Sequence, residues 1–155
     1  MSVGFLNGNF ESGSIYPWVP SAPSAAVAIQ SNAQFTAPEG QFYLDIQTDY
    51  GNRGNSVEQH ITGLVPGTEY TFSVQARSGS SSTANYCYAS LTVGADDTTS
   101  TSIRNDQLPD EWVLLSGTHV ATSAEEVIDL AGGCNFSGSS ARGHVLFDEV
   151  IFVEA

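Results

Sequence analysis

The chain of 155 residues contains no lysine and only four arginines, against 17 aspartates and glutamates. Its net charge is −13 and its isoelectric point is about 4.1. Such a surface repels phosphate backbones and anionic lipid headgroups, which argues against a nucleic acid or a membrane as the partner. An acidic surface of this kind is typical of a solvated secreted protein, and it suits a neutral ligand or a cation.

Long hydrophobic stretches are also missing. No apolar run approaches the roughly 20 residues of a membrane span. Met1 leads directly into the first predicted strand, without the apolar segment of a signal peptide, so we expect an excised or mature module. Hydrophobic residues still make up 41% of the chain, which is enough for one domain over residues 1–155 with a core of its own.

Cysteine is scarce, with only Cys87 and Cys134. Both lie in or beside predicted strands, where the sequence is compatible with two buried thiols or with a disulfide. The glycosylation sequon Asn135-Phe136-Ser137 and the loops rich in Ser, Thr and Gly indicate a secreted glycoprotein. Because disulfides persist outside the cell, we predict that Cys87 and Cys134 are bonded to each other.

Sustained helical periodicity is absent from the sequence. Apolar and polar residues instead alternate in short segments that are separated by Gly, Pro, Asn and Ser. The alternation is clearest over residues 70–77 and 86–93, and Pro66-Gly67 predicts a type II turn just before the first of these. The number and spacing of the segments predict an all-β fold, a single-domain sandwich or jelly roll of about nine or ten antiparallel strands.

Catalytic motifs are missing as well. The sequence has no G-x-S-x-G nucleophile elbow, no H-E-x-x-H or C-x-x-C spacing, and no pattern that selects one carboxylate pair for glycoside hydrolysis. His60, His119 and His144 lie in separate predicted strands. We therefore predict that the chain is not an enzyme.

Acidic residues occur near both ends of the chain. Glu11 lies in a turn rich in Gly and Asn, and Asp148 lies inside the last apolar strand. Aspartate is depleted in strands, and a carboxylate among apolar neighbours needs a partner. Calcium is one such partner, since it prefers carboxylate ligands, with Glu39 as a third candidate ligand. The alternative is that Glu11 and Asp148 accept hydrogen bonds from backbone amides.

Aromatic and polar residues point outward from three predicted strands, since each alternates with an inward apolar residue. If these strands are neighbours, the rings, the amide and the guanidinium form one surface that suits a sugar. We call this set the predicted platform: Tyr43, Gln75, Arg77, Tyr86 and Tyr88. Exposed tyrosines are also ordinary in strands. Tyr16 and Tyr50, in loops, offer a second location at the rim.

Several motifs occur in an order that resembles one known group of domains. They are Asn7-Gly8-Asn9-Phe10-Glu11-Ser12-Gly13 followed by Trp18, Gln59 before Gly63-Leu64-Val65-Pro66-Gly67, Trp112, and Phe147-Asp148-Glu149-Val150. The chain resembles the carbohydrate-binding modules of families 4, 9 and 22, the CenC-type domains with a galactose-binding-like jelly roll.

The resemblance implies a non-catalytic module that binds a polysaccharide or oligosaccharide and that brings a tethered glycoside hydrolase to its substrate. It implies a structural calcium held by Glu11, Asp148 and, by loop position, Glu39. It also implies that Trp18 and Trp112 pack in the core. The alternative function is a structural or adhesion domain of a secreted or cell-surface protein that binds no sugar.

Overall fold

The computed structural model describes residues 3–21, 27–31, 35–48, 53–79, 84–94, 98–137 and 143–155. These residues form ten strands: β1 (Val19–Pro20), β2 (Val27–Ser31), β3 (Phe42–Gln47), β4 (Asn55–Ile61), β5 (Glu69–Ser78), β6 (Tyr86–Gly94), β7 (Thr101–Asn105), β8 (Val113–Val120), β9 (Glu126–Asn135) and β10 (His144–Glu154). In these parts of the chain there is no helix with the length and apolar character needed to cross a bilayer.

The strands form two five-stranded antiparallel sheets, which confirms the predicted β-sandwich. Sheet one has the order β1-β4-β9-β6-β7, and sheet two has the order β2-β3-β10-β5-β8. From β3 to β6 each connection carries the chain from one sheet to the other. Two strands that follow each other in sequence therefore often expose opposite surfaces of the molecule.

The core lies between the sheets and is filled by the inward residues of each strand. On β5 the buried apolar side chains are Tyr70, Phe72, Val74 and Ala76, which are the positions that the alternation predicts. Because burying one large apolar side chain contributes about 1.5–3 kcal/mol, the alternation along β4, β5, β6 and β9 is a main source of stability. Trp18 also lies in this core, as predicted.

The N-terminal segment lies along β4 and is held there by a buried side chain. The Nε2 of Gln59 donates to the carbonyl oxygen of Leu6, and Oε1 of Gln59 accepts from the Leu6 amide, both at 2.9 Å. A bridge between Gly4 and Thr62 continues the pairing. The side-chain amide of Gln59 thus takes the place of a pair of backbone hydrogen bonds between the N-terminal segment and β4. It satisfies the Leu6 amide and carbonyl, which burial would otherwise leave unpaired.

Cys87 and Cys134 form a disulfide, as predicted. The two residues are directly opposite on β6 and β9, with their Cα atoms 4.0 Å apart. The sulfurs face the core, because both residues belong to the inward set of their strands. The bridge thus fixes the register of β6 on β9 directly beside the pair formed by Tyr88 and Gly133.

Candidate functional site

The predicted platform is divided between the two sheets. Tyr43 on β3 and the pair Gln75 and Arg77 on β5 lie in sheet two, whereas Tyr86 and Tyr88 on β6 lie in sheet one. The prediction of one shared face is therefore wrong. Alternation determines whether a side chain points inward or outward, and it carries no information on which of the two outer faces receives it.

The outer face of sheet two is covered at its centre by the segment 35–37. Tyr43 is only 3% exposed and packs with Ala37 and Leu146, and Phe35 and Trp112 pack against these three. We call these five residues the satellite cluster. The indole nitrogen of Trp112 donates to the Thr36 carbonyl at 2.8 Å and fixes the segment on the sheet.

Two expectations change because of the satellite cluster. Tyr43 has no free ring face for a sugar, since its neighbours enclose it. Trp112 packs on the outside of sheet two rather than in the sandwich core, so its assignment to the core is corrected. Arg77 is engaged here too, with its Cζ 4.4 Å from the centre of the Phe35 ring.

The outer face of sheet one presents a ring that lies flat on the strands. Tyr88 extends across β9, where a Cβ atom on Gly133 would lie 2.9 Å from the Tyr88 hydroxyl oxygen, and a Cβ on Gly54 only 2.2 Å away. Any side chain at these two positions would collide with the ring, so glycine allows the close approach. Tyr86, two residues earlier on β6, is 39% exposed on the same side.

Arg104 lies over Tyr88 from the edge strand β7. Its Cζ is 4.3 Å from the ring centre, and its Nε donates to the carboxylate of Asp106. Such a cation–π contact orders the guanidinium on the face of the sheet. Arg104 was not predicted from the sequence, because β7 is a short polar segment and its register on β6 depends on the fold.

Two carboxylates face each other on the same surface. Glu58 on β4 and Asp129 on β9 are directly opposite, with Thr92 of β6 on the other side of Asp129. Burial, and then repulsion by Glu58, raises the pKa of Asp129 from 3.8 to about 6. Like charges at opposite positions destabilise a sheet, but carboxylates placed here can accept hydrogen bonds from a ligand. We call Tyr86, Tyr88, Arg104, Glu58 and Asp129 the sheet-one platform.

The acids proposed as calcium ligands lie near one another on sheet two, where the N-terminal turn meets the start of β3 and the strand β10. The carboxylate oxygens of Glu11 accept the amides of Gln41 and Phe42, each at 2.8 Å, which is the hydrogen-bonded alternative considered for this residue. Asp148 is fully buried. Its Oδ1 accepts the Glu149 amide at 2.8 Å, and its Oδ2 has no hydrogen-bond partner among the residues that the structure describes.

Burial and, after it, mutual repulsion both act on the acids of this group. Burial raises the pKa of Asp148 to about 7, and the charges of Glu149 and Glu11 add to the effect, while the Glu149 and Glu39 amides oppose it without satisfying Oδ2. Burial, Glu39 and Glu11 also raise the pKa of Glu149. Within the described parts of the chain, no positive charge acts on either acid. We call Glu11, Glu39, Asp148 and Glu149 the carboxylate cluster; Glu149 is the member that was not predicted.

The side chains of the cluster do not by themselves form a finished metal site. Across the described ranges, no three Asp, Glu, His or Cys side chains are close enough together to hold an ion. A cation here would therefore need backbone carbonyls or water as further ligands, which is usual for calcium. Of the rim candidates, Tyr16 is 77% exposed, and Tyr50 lies outside the described residues.

Known structures share this fold. TmCBM61 in complex with β-1,4-galactotriose superposes with a TM-score of 0.75 and 15% identity over all of both chains. The C-terminal family 22 carbohydrate-binding module of Clostridium thermocellum Xyn10B gives 0.62 and 18%, over 98% of this chain and 96% of that one. The CBM22-1–GH10 modules of Clostridium thermocellum Xyn10B, complexed with xylohexaose, give 0.58 and 16%, over 99% of this chain and 28% of that one.

At these identities the superpositions show a shared fold only. A search of curated protein sequences gives no match. A family model described as a carbohydrate binding domain, that of families 4 and 9, matches residues 4–131, which is most of the chain. The match includes the whole sheet-one platform and ends before Asp148. The chain therefore belongs to this family of carbohydrate-binding modules, whose members are non-catalytic.

Proposed function

We propose that this module binds a neutral polysaccharide or oligosaccharide on the outer face of sheet one. The observation that carries the proposal is the layer that Tyr88 and Arg104 form on this face: the Tyr88 ring rests on Gly54 and Gly133, and the half-exposed guanidinium of Arg104 lies over the ring. On the opposite sheet the comparable ring, Tyr43, is enclosed. Two structural neighbours, one in complex with β-1,4-galactotriose and one with xylohexaose, support the ligand class.

The sheet-one platform provides the groups that a sugar requires. Tyr86 offers exposed ring surface, Tyr88 supports the guanidinium of Arg104, whose N–H groups are donors, and the carboxylates of Glu58 and Asp129 accept hydrogen bonds from hydroxyl groups. The net charge of −13 disfavours polyanionic glycans such as polyuronates. A neutral glycan meets no such repulsion.

The setting of the module follows from its family and its chemistry. Modules of this family are typically found in extracellular proteins, and a disulfide is stable in that environment. One structural neighbour joins its module to a GH10 domain. We propose that this module likewise holds a tethered glycoside hydrolase near its substrate in a secreted parent protein.

Calcium is proposed as a structural ion in the carboxylate cluster. The cluster fits a cation because Asp148 has a buried oxygen without a partner among the described residues, and because burial, followed by repulsion from Glu149 and Glu11, raises its pKa to about 7. Glu11 and Asp148 would hold the ion, with Glu39 and Glu149 adjacent. The ion would neutralise the acids and join the N-terminal turn to β10, and so it stabilises the fold rather than taking part in sugar chemistry.

The sugar proposal is tested by affinity electrophoresis against β-glucan, xylan, galactan and chitin. We expect retention by at least one neutral polysaccharide. Tyr88→Ala should then reduce affinity by about 2 kcal/mol or more, as at a binding hot spot. Its melting temperature should fall by only a few degrees, because the lost cross-strand contacts are worth about 1 kcal/mol.

Tyr16→Ala separates the two locations. If the rim were the site, Tyr16→Ala would abolish binding and Tyr88→Ala would preserve it. Silence of the parent protein across the whole panel would favour the adhesion-domain alternative and contradict the proposed function.

The calcium proposal predicts a chelator effect. An ion that binds only the folded state at a hundredfold excess over its Kd adds about 2.7 kcal/mol, which is roughly 5–10 °C in melting temperature for a chain of this size. Chelator should lower the melting temperature by about this amount, and Asp148→Asn should be insensitive to chelator. Glu69→Gln, an exposed acid at the start of β5, is the control that keeps the effect. A parent protein whose melting is unchanged by chelator has no structural calcium.

A further inference from the structure

A small pocket opens beside the sheet-one platform, where β6 meets the edge strand β7. It has a volume of about 340 Å³ and is lined by Tyr86, Arg104, Asp106 and Gln107. This volume is at the lower end of the range of small-ligand sites, about 300–1,000 Å³. The lining combines one aromatic ring, a guanidinium, a carboxylate and an amide. The amide is a type of hydrogen-bonding side chain that the sheet-one platform itself does not contain.

The wall of the pocket is a turn that the fold holds firmly. The side chain of Asn105 accepts the Gln107 amide at 2.8 Å, and the Leu108 amide donates to the Cys87 carbonyl at 2.9 Å. Leu108 itself is buried in the main core. Asp106 and Gln107 are thus presented from a segment fixed at both ends, so ordering them on binding costs little conformational entropy.

Arg104 is fixed at two points between the ring and the turn. Its guanidinium lies over Tyr88, and its Nε donates to Asp106. An arginine side chain has five N–H donors, so four remain for a ligand. Because Asp106 balances the positive charge, the pair offers donors and acceptors without net charge. Such a pair suits the hydroxyl groups of a neutral sugar better than a carboxylate.

We propose that this pocket is the subsite that selects the sugar. One pyranose unit lies against Tyr86, Arg104 donates to its hydroxyls, and Asp106 and Gln107 accept from or donate to those next to them. The inference rests on the proposed function, which provides the rest of the glycan on the platform. It adds Asp106 and Gln107 to the site and assigns to them, together with Arg104, the role of distinguishing one neutral sugar from another.

The test is isothermal titration with three trisaccharides, the β-1,4-linked oligomers of galactose, xylose and glucose. The variants are Arg104→Lys, which keeps the charge but loses the fork of donors, Asp106→Asn and Gln107→Ala. Glu69→Gln on sheet two makes the same charge change as Asp106→Asn outside the pocket. Thermal melting of each variant shows that it is folded.

We expect the parent protein to prefer one trisaccharide. Arg104→Lys and Asp106→Asn should weaken the preferred sugar by about tenfold and the other two by much less, so that the preference collapses. Gln107→Ala should act in the same direction, and Glu69→Gln should leave all three affinities as they are. Because Lys cannot form the same bidentate contacts, a loss in Arg104→Lys at unchanged melting temperature reports recognition and not folding.

Other results contradict the subsite in distinguishable ways. If the three pocket variants keep the parent's preference while Tyr88→Ala loses all binding, the proposed function stands and the subsite is wrong. A parent protein without preference among the three sugars also overturns it, as does tighter binding of a trigalacturonate than of any neutral trisaccharide. If the parent binds none of the sugars, the proposed function falls and the subsite falls with it.

Discussion

Asp129→Asn should make the protein more stable, and only at neutral and higher pH. Asparagine keeps the size of the side chain and removes the charge that faces Glu58 across the two strands. The pKa of Asp129 rises from 3.8 to about 6 on folding, first through burial and then through Glu58. The folded state therefore holds this proton more tightly than the unfolded chain does. Its ionisation makes the protein less stable as the pH rises from about 4 to above 6.

The size of the effect follows from the same values. At 1.36 kcal/mol for each pH unit, the difference between 3.8 and about 6 corresponds to about 3 kcal/mol without screening. The carboxylate is partly open to solvent, which reduces the cost to roughly 1 kcal/mol. For a chain of this length that is about 2–4 °C in melting temperature. We expect this gain for Asp129→Asn at about pH 8, and almost none below about pH 4.

The measurement is calorimetric melting between about pH 4 and about pH 8. The proteins compared are the parent, Asp129→Asn, Glu58→Gln and the double variant. Since Glu58 is the second cause of the raised pKa of Asp129, Glu58→Gln should give a smaller gain in melting temperature. The double variant should gain less than the sum of the gains of the two single variants. Glu69→Gln, an exposed acid on sheet two, should change little at any pH. A gain from Asp129→Asn that is the same at both extremes of pH, or a loss at about pH 8, would refute the reasoning.

Two further predictions concern the framework. Gln59→Ala leaves the Leu6 amide and carbonyl without partners, so it should cost about 1–3 kcal/mol, measured by urea unfolding, and a cost near zero would show that the segment is held by other contacts. Opening the disulfide between Cys87 and Cys134 frees a loop with a sequence separation of 47, for which chain entropy gives up to about 4 kcal/mol. Reductant should lower the melting temperature accordingly. Free thiols in unreduced, denatured protein would contradict the bridge.

Much of the fold could be predicted because its signals are local. Alternation along β5 and β6 identifies the inward residues correctly. The turn at Pro66-Gly67 forms as expected, with the Thr68 amide donating to the Val65 carbonyl at 3.0 Å and Gly67 at a φ of 88°. These features depend on a few neighbouring residues, so a single sequence is enough to reveal them.

Sheet membership could not be predicted in the same way. Strands β5 and β6 both alternate cleanly, but the connection between them crosses from sheet two to sheet one. Tyr43 fails for another reason: it points outward, and the segment 35–37 then folds over it. The sequence contains the residues of that contact, but it does not state the direction in which the segment turns.

The sheet-one platform depends most on long-range pairing. Glu58 and Asp129 meet only through the register of β4 on β9, and Arg104 reaches Tyr88 only because β7 pairs with β6. Neither acid stands out from the other 15 acidic residues in the sequence. The raised pKa of Asp129 and the position of both acids on the same outer face as the rings become visible only in three dimensions.

The two glycines beneath Tyr88 also define how this module could be retargeted to another sugar. Gly54 and Gly133 set the height of the ring above the strands, although the ring lies between them and any ligand. A library that randomises every residue near the site would place a side chain at Gly54 or Gly133 in most of its members. That side chain would displace the Tyr88 ring, and the binding surface would be lost together with its specificity. Varying Tyr86, Asp106 and Gln107 while both glycines stay constant would let new sugars be selected on an intact base.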